Sequence, residues 1–153
     1  MAARQQDLDP IRRGTEADLE RILEIEKLSF EKQWFADEFR SALKELFLVY
    51  QEEVVLGFLS ACLTAPGDRA VIMRIAVHPD HRGKGIASRL IEATLDRLRQ
   101  MSVAEVELEV EIVKTGAIAL YERFGFRIRE IVTADDDKGS ESFLEMKLKL
   151  AGG

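Results

Sequence analysis

The sequence predicts one mixed α/β or α+β domain, and three observations support that prediction. Segments of helical periodicity alternate with short apolar or alternating segments, in the order β-α-α-β-β-β-α-β-α-β-β. The length of 153 residues is enough for one well-buried core and short for two. The chain contains no repeat, no low-complexity tract and no linker. We therefore expect a single domain over residues 1–153, with about seven strands and four helices.

Composition is that of an ordinary soluble globular protein, with 46% hydrophobic and 33% charged residues. No apolar run approaches the ~20 residues that span a bilayer, and residues 1–6 lack the apolar segment of a secretory signal. Because Cys62 is the only cysteine, neither an intrachain disulfide nor a cysteine metal cluster can form. These features predict a cytoplasmic protein with no metal and no membrane partner.

Positive charge is concentrated in one place. The formal net charge of −6 argues against a general nucleic-acid binder. Basic side chains nevertheless gather around one glycine-rich turn: His78, His81, Arg82, Lys84 and Arg89. A basic turn on an acidic protein suits an anionic ligand and a cationic second substrate. Random surface variation accounts for the charge counts equally well.

The start of the chain predicts a short strand and two helices. Ile11-Arg12 is the strand, and Thr15 follows as an N-cap with Asp18 three residues later, as in a shortened capping box. The first helix covers about 16–28 and the second about 36–46. Five positions form the inward stripe of the first helix: Leu19, Ile22, Leu23, Ile25 and Glu26.

Three strands are expected next. Apolar residues over 47–51 and 54–64 predict a hairpin that turns at Glu52-Glu53. Pro66-Gly67-Asp68 signals a second turn. The β-branched and apolar residues at 70–77 then predict the next strand.

The clearest helix and the clearest strand lie in the second half. The helix begins near Ile86 and follows one apolar stripe. Its members are Ile86, Leu90, Ile91, Thr94, Leu95, Leu98 and Met101. Strict alternation then predicts a strand with one buried and one solvated face. The apolar face carries Val106, Leu108, Val110 and Ile112, and the solvated face carries Glu105, Glu107, Glu109 and Glu111.

One helix and two strands complete the pattern. The helix covers about 115–124 and ends at Gly125, where a left-handed residue fits. Strands near 126–132 and 142–150 enclose the polar turn 135–140.

The strand–turn–helix junction at residues 77–90 is the place to look for function. Pro79 ends the strand after Val77, and Gly83 and Gly85 keep side chains out of the turn. Backbone N–H groups converge there and the helix dipole favours negative charge, so a diphosphate can touch the backbone itself. An ordinary glycine-bearing turn before a helix is the alternative.

Two common phosphate fingerprints do not fit this turn. A Walker loop requires a glycine five positions before Gly83, and none is there. A dinucleotide fingerprint requires a third glycine where this chain has Ser88.

Two motifs instead resemble those of a known family. Arg82-Gly83-Lys84-Gly85-Ile86-Ala87 has the form Arg/Gln-x-x-Gly-x-Gly/Ala and is similar to the acetyl-coenzyme A pyrophosphate loop of the GNAT superfamily of N-acetyltransferases. Leu108-Glu109-Val110, followed by 117–126, resembles the family's Leu-Glu-Val and Ala-x-x-Leu-Tyr-x-x-x-Gly-Phe signature. The order of elements is also the family's, so the resemblance covers nearly the whole chain. The branch most alike in appearance comprises the ribosomal-protein alanine and protein N-terminal acetyltransferases.

The resemblance implies a mixed, mostly antiparallel central sheet of about seven strands flanked by about four helices. It implies acetyl-coenzyme A as co-substrate, no metal, and direct attack by a primary amine in a ternary complex. The expected partners are acetyl-coenzyme A and an acceptor amine, without nucleic acid or membrane, in a monomer or a dimer. The cofactor-binding residues implied are Ile75, Ala76, Val77, Arg82, Gly83, Lys84, Gly85, Ile86, Ala87 and Ser88.

Two residues match the family's catalytic positions. Glu109 matches the general base, which takes the proton of the attacking amine. Tyr121 matches the acid that protonates the departing thiolate, since a phenol is protonated at neutral pH. From the residues alone, Glu109 also fits a solvated strand face, and Tyr121 also fits a core aromatic with a bonded hydroxyl.

Three functional hypotheses remain open, two of which differ in the acceptor amine. The N-terminal α-amine of a protein or peptide is favoured by the resemblance. The alternatives are a small amine, such as a polyamine, an amino sugar or a drug, and a non-catalytic acyl-coenzyme A sensor. The chain departs from the N-terminal branch at Lys114, where that branch usually has Asn, and at Gln33, where Pro is expected.

Overall fold

The computed structural model describes residues 9–64, 67–136 and 139–150. The order of its elements confirms the predicted order. The strands are β1 (Ile11–Arg13), β2 (Leu46–Gln51), β3 (Val55–Leu63), β4 (Arg69–Val77), β5 (Glu105–Glu111), β6 (Arg127–Asp136) and β7 (Gly139–Lys149). The helices are α1 (Leu19–Ser29), α2 (Ala36–Ala42), α3 (Ile86–Gln100) and α4 (Thr115–Arg123), with single 3₁₀ turns at Glu16–Asp18 and Pro79–His81.

The seven strands form one sheet in the order β1-β2-β3-β4-β5-β7-β6. Strand β2 pairs antiparallel with β1 and β3, and β7 pairs antiparallel with β5 and β6. The β4–β5 pair is parallel and joins Arg69–Ile72 to Glu105–Leu108. A mixed, mostly antiparallel sheet of seven strands is therefore confirmed. None of the helices among the described residues is long and apolar enough to cross a membrane.

The chain separates into two compact units. The first runs to Cys62 and includes Arg74–Arg97. Its core is aromatic: the ring of Phe39 packs edge-on against Trp34 and Phe58 at centroid distances of 5.3 and 5.5 Å. The buried apolar members of this core are Leu19, Ile22, Ile25, Phe39, Phe47, Val49, Val55, Phe58 and Ala76.

The capping box predicted at Thr15 and Asp18 is present at the start of the first helical segment. The Thr15 backbone N–H donates to the Asp18 carboxylate at 2.8 Å, and the Thr15 hydroxyl lies 3.4 Å from that carboxylate. Arg12 donates two hydrogen bonds of 2.8 Å to the same carboxylate, and this contact lowers the pKa of Asp18. The first turn is 3₁₀ and the α-helix begins only at Leu19.

Two helices end earlier in the structure than the sequence predicted. Helix α2 stops at Ala42 rather than near residue 46, because Leu46 already belongs to β2. Helix α3 stops at Gln100, so Met101 lies outside the helix and is exposed, whereas every other member of the predicted stripe is buried.

The second unit comprises Leu63–Met73 and the chain from Leu98 onward. Val106, Leu108 and Val110 are buried as predicted, but β5 ends at Glu111 and Ile112 is exposed. The β6–β7 hairpin is longer than predicted, since its pairing continues to Asp136 opposite Gly139. The predicted turns at 135–140 and 66–68 fall partly on residues outside the described ones, namely Asp137, Lys138 and Pro66.

Candidate active site

In the first unit, the segment after β4 forms the predicted glycine-rich turn. The His78 backbone N–H donates to the Leu56 carbonyl at 2.8 Å, which continues the contact of β4 with β3. The His78 imidazole Nδ1 accepts from the Asp80 N–H at 3.1 Å and so caps the short 3₁₀ turn. Gly83 and Gly85 then have φ of +78° and +81°, which L side chains rarely adopt.

Arg82 holds the turn against its surroundings. Its Nε donates to the Val77 carbonyl at 3.0 Å, and one terminal nitrogen donates to the Ser29 hydroxyl at 3.2 Å. The first contact joins the turn to the end of β4, and the second joins it to the end of α1. The position of the turn is therefore fixed from two sides.

The turn presents a row of free donors. Helix α3 begins when the Arg89 N–H donates to the Gly85 carbonyl at 3.1 Å, so the N–H groups of residues 86–88 have no partner within the helix. The N–H groups of residues 83–85 likewise have no protein acceptor among the described residues. A Cβ placed at Gly83 or Gly85 would meet nothing within 4 Å, so the donors face open space. This is the geometry of an anion site at a helix N-terminus.

Cationic side chains surround these donors. The Lys84 Nζ lies 3.4 Å from His81 Nδ1, and both residues belong to the turn. Arg89, in the first turn of α3, donates to the Tyr50 hydroxyl at 3.1 Å and lies over the Tyr50 ring. The structure therefore brings together the basic residues that the sequence predicted for an anionic ligand.

The end of β4 is set by a close backbone approach. A Cβ at Gly57 on β3 would meet the Ala76 carbonyl oxygen at 3.0 Å, so a glycine is needed for the two strands to lie this close. The pairing of β4 with β5 ends at Ile72.

A buried ion pair supports the same strand, and the sequence analysis missed it. The Glu26 side chain is 1% exposed and accepts hydrogen bonds from the Arg74 guanidinium and, at 2.8 Å, from the Trp34 N–H. Arg74 also donates to the Lys32 carbonyl at 2.8 Å and lies over the Phe30 ring at 3.8 Å. The signal in the sequence was a glutamate within the apolar stripe of α1, since a carboxylate buried there requires a cationic partner.

In the second unit, the structure divides the four glutamates of β5. Glu105 and Glu107 form ion pairs with Lys147 at 3.7 and 3.3 Å, and Glu107 also pairs with Arg69 at 3.2 Å. Glu109 is exposed and has neither an ion pair nor a hydrogen bond from its side chain among the described residues. Its carboxylate therefore differs from those of Glu105 and Glu107, which described cations engage.

Tyr121 lies on α4 and is 7% exposed. Its ring packs edge-on against Phe126 at a centroid distance of 6.0 Å. The hydroxyl has no hydrogen-bond partner within the part of the chain that the structure describes. Burial raises the pKa of Tyr121 to about 12, so the phenol keeps its proton through the physiological range.

Lys114, His78 and His81 were considered as further site residues. Lys114 is exposed just before α4, where its carbonyl accepts from the Ile118 N–H at 3.0 Å. The rings of His78 and His81 lie 5.8 Å apart. Among the described residues no group of three or more His, Cys, Asp or Glu side chains could hold a metal ion.

Comparison with known proteins places this geometry in context. The sequence model of the family described as "Acetyltransferase (GNAT) family" matches residues 14–126. The [ribosomal protein bS18]-alanine N-acetyltransferase of Escherichia coli (strain K12) is 33% identical over 110 residues, which covers 71% of this chain and 74% of that protein. N-alpha-acetyltransferase 30 of Schizosaccharomyces pombe is 38% identical over 58 residues, or 38% of this chain and 39% of that protein. The crystal structure of the Escherichia coli ribosomal-protein-S18-alanine N-acetyltransferase superposes with a TM-score of 0.84 at 28% identity, covering 94% of each chain.

Proposed function

This chain belongs to the acetyltransferase (GNAT) family, and from that premise we propose that its acceptor is the α-amine at the N-terminus of a protein. It is an acetyl-coenzyme A-dependent N-acetyltransferase. The observation that carries the acceptor is the 33% identity, over 71% of the chain, to an enzyme named for the alanine of a ribosomal protein. A protein acceptor made on the ribosome also supports a cytoplasmic location, which is the location we propose.

Residues 82–88 would hold the diphosphate of acetyl-coenzyme A. The fit rests on the free N–H groups of residues 83–88 and on the open space in front of Gly83 and Gly85. A backbone cradle at a helix N-terminus favours a diphosphate through both hydrogen bonds and the helix dipole. Lys84 adds a mobile positive charge, whereas Arg82 supports the turn through Val77 and Ser29.

The end of β4 would hold the rest of the co-substrate. The backbone groups of Ile75, Ala76 and Val77 lie beyond the last residue of β4 that pairs with β5, and we assign to them the hydrogen bonds to the pantetheine arm. Acetyl-coenzyme A, when bound, supplies an acetyl group activated as a thioester. One N–H of this strand, aimed at the carbonyl oxygen, would stabilise the negative charge that develops there.

Glu109 is our general base. An α-amine has a reference pKa of about 7.7–8.0 against about 10.4 for lysine, so a carboxylate needs to remove only one readily lost proton. Glu109 is the strand glutamate that fits the family position, and it is free of the ion pairs that engage Glu105 and Glu107. It takes the proton directly or through one water.

We assign to Tyr121 the hydrogen bond that stabilises the departing sulfur. Its hydroxyl has no partner among the described residues and stays protonated. A thiol has a reference pKa of about 8.5, well below the value of about 12 for this phenol. Complete transfer from Tyr121 is therefore uphill, so the hydroxyl stabilises the thiolate chiefly by a hydrogen bond in the transition state.

An acceptor screen tests the proposal. Coenzyme A release is measured with a panel of peptides bearing free N-termini, with the same peptides blocked at the N-terminus, and with a panel of small amines. We expect release with the free peptides alone. Faster release with a polyamine or an amino sugar would replace the protein acceptor by a small one. Tight binding of acetyl-coenzyme A without release for any acceptor would favour a sensor.

A further inference from the structure

The two edges of the sheet are built differently. Strand β1 is three residues long, and Arg12 at its centre is engaged by Asp18 and Gln51. Strand β6 is ten residues long, and among the described residues its one pairing partner is β7. Eight of its nine side chains from Arg127 to Asp135 are exposed, so no other described part of the chain covers it. A long uncovered edge offers a row of unpaired N–H and C=O groups to another strand.

Strand β6 also carries exposed apolar side chains. Ile128 and Ile131 stand opposite Met146 and Leu144 on β7, so they continue the same face of the sheet. Met146 and Leu144 are 0% and 5% exposed, whereas Ile128 and Ile131 are 48% and 62% exposed. The apolar face that is buried on β7 therefore continues onto β6, where it is exposed.

The charges of β6 are arranged in a polar order. Arg127 and Arg129 lie at its start beside one acid, Glu130, and Asp135 lies near its end, where the Ser140 hydroxyl donates to the carboxylate. All four are exposed, and the start of the strand keeps a net positive charge. A bulge between Ile128 and Glu130 interrupts the register only near the start and leaves the pairing regular from Glu130 onward. An antiparallel copy of this strand would place each basic end beside an acidic end.

We propose that β6 is a dimer interface, in which a second copy of this chain pairs antiparallel with it through its own β6. The pairing satisfies the edge hydrogen bonds, brings Ile131 of each copy under cover, and sets Arg129 against Asp135 twice around a two-fold axis. Each copy uses its single long edge. Because β1 is short and its arginine is engaged, the assembly closes at two copies rather than growing into a filament.

The charge order favours this occupant over others. A parallel copy would bring Arg129 near Arg129 and lose the attraction. An extended peptide of arbitrary sequence would gain only main-chain hydrogen bonds and would have no reason to match both ends. A second copy matches both ends by symmetry.

Sedimentation velocity on the full chain over a range of concentrations tests the proposal. We expect a reversible dimer that weakens as salt screens the end contacts. Arg129→Asp and Asp135→Arg, each alone, should weaken self-association by at least about tenfold, because two like-charge contacts replace two attractive ones. Val113→Lys, at an exposed apolar residue outside β6, is the matched control and should leave the dimer intact.

Mixing the two charge variants gives the decisive measurement. In the mixed pair both end contacts are attractive again, so Arg129→Asp and Asp135→Arg should form a heterodimer that is tighter than either homodimer. Circular dichroism confirms that each variant is folded. A wild-type monomer at every concentration, full dimerisation of either single variant, or failure of the mixture to associate would each overturn the proposal.

Discussion

The turn at 82–88 and the pair Glu109 and Tyr121 differ in how the structure holds them. The turn is fixed by named contacts: His78 to Leu56, and Arg82 to both Val77 and Ser29. The side chains of Glu109 and Tyr121 make no hydrogen bond or ion pair within the described residues. In the proposed mechanism, binding of acetyl-coenzyme A therefore depends on a backbone turn that several contacts hold in place, whereas the chemistry depends on two side chains that no described residue engages.

Gly85→Glu should have the largest effect, because it blocks the proposed diphosphate site at the turn. The new carboxylate would stand where the diphosphate approaches, at a residue whose φ of +81° already disfavours any side chain. Isothermal titration calorimetry should show acetyl-coenzyme A affinity reduced by at least about a hundredfold. Gly139→Glu, with φ of +125° and equally open space, controls for backbone strain and should keep its affinity. Unchanged affinity in folded Gly85→Glu would place the phosphate site elsewhere.

Glu109→Gln should impair the proposed chemistry while leaving acetyl-coenzyme A binding intact. The amide keeps the size of the side chain and removes the base, so peptide acetylation should slow by about 10²–10⁴-fold with acetyl-coenzyme A affinity unchanged. Glu107→Gln is the matched control on the same strand face. It loses partly exposed ion pairs to Lys147 and Arg69, each worth on the order of 1 kcal/mol, and should keep its rate. Equal slowing in both variants, measured by steady-state kinetics, would point to the charge of the face rather than to a base.

Tyr121→Phe should sharpen the comparison, because it removes one oxygen and keeps the ring packing. We expect turnover to fall by about a hundredfold, at the low end of proton-donor effects, while acetyl-coenzyme A affinity holds. A wild-type rate would remove Tyr121 from the mechanism.

The same variant carries a stability test with a definite sign. Burial raises the pKa of Tyr121 from 10.0 to about 12, so at intermediate pH the unfolded state has lost a proton that the folded state keeps. The stabilisation is fully present below pH 10 and is lost as pH rises toward 12, by a few kcal/mol at most. Urea unfolding from pH 9 upward should therefore show wild type losing stability faster than Tyr121→Phe. Parallel curves would mean that the phenol is not shielded from water.

Gly57→Ala should have the smallest effect and tests the scaffold beneath the turn. The methyl group would meet the Ala76 carbonyl at 3.0 Å and the Ile86 Cγ2 at 3.3 Å, so β4 or α3 must shift slightly. We expect a loss of about 1 kcal/mol in the free energy of unfolding and a modest loss of acetyl-coenzyme A affinity. Gly116→Ala, where a Cβ meets nothing within 4 Å on α4, should instead stabilise the protein slightly. A stabilised Gly57→Ala variant would contradict the close approach.

The sequence predicted the backbone geometry of the glycine-rich turn well, because glycine spacing reports backbone geometry directly. Gly83 and Gly85 do adopt positive φ at a helix start. The alternation of β5 likewise identified its buried face, although Ile112 fell beyond the strand end. Alternation could not separate Glu109 from Glu107, since the distinction depends on Lys147 and Arg69, which approach from other strands.

Contacts between distant residues were beyond reach for the same reason. Glu26 was placed in the inward stripe of α1, but its partner Arg74 lies 48 residues away. The exposed position of Ile131 was also unforeseen, because strand alternation does not say which strand ends the sheet. Local patterns thus predicted elements and faces, whereas ion pairs and edges followed only from the assembled sheet.

The distance between Glu26 and Arg74 along the chain also shapes how the protein emerges during synthesis. Until Arg74 has left the ribosome, the carboxylate of Glu26 has no cation to meet, and enclosing it alone is strongly unfavourable. We therefore expect α1 and the residues that follow it to stay unpacked on the nascent chain and to become ordered only when β4 is available. The first unit therefore completes its folding only after its second segment, Arg74–Arg97, has been synthesised. A translation-arrest sequence placed before Arg74 should leave the nascent chain sensitive to protease.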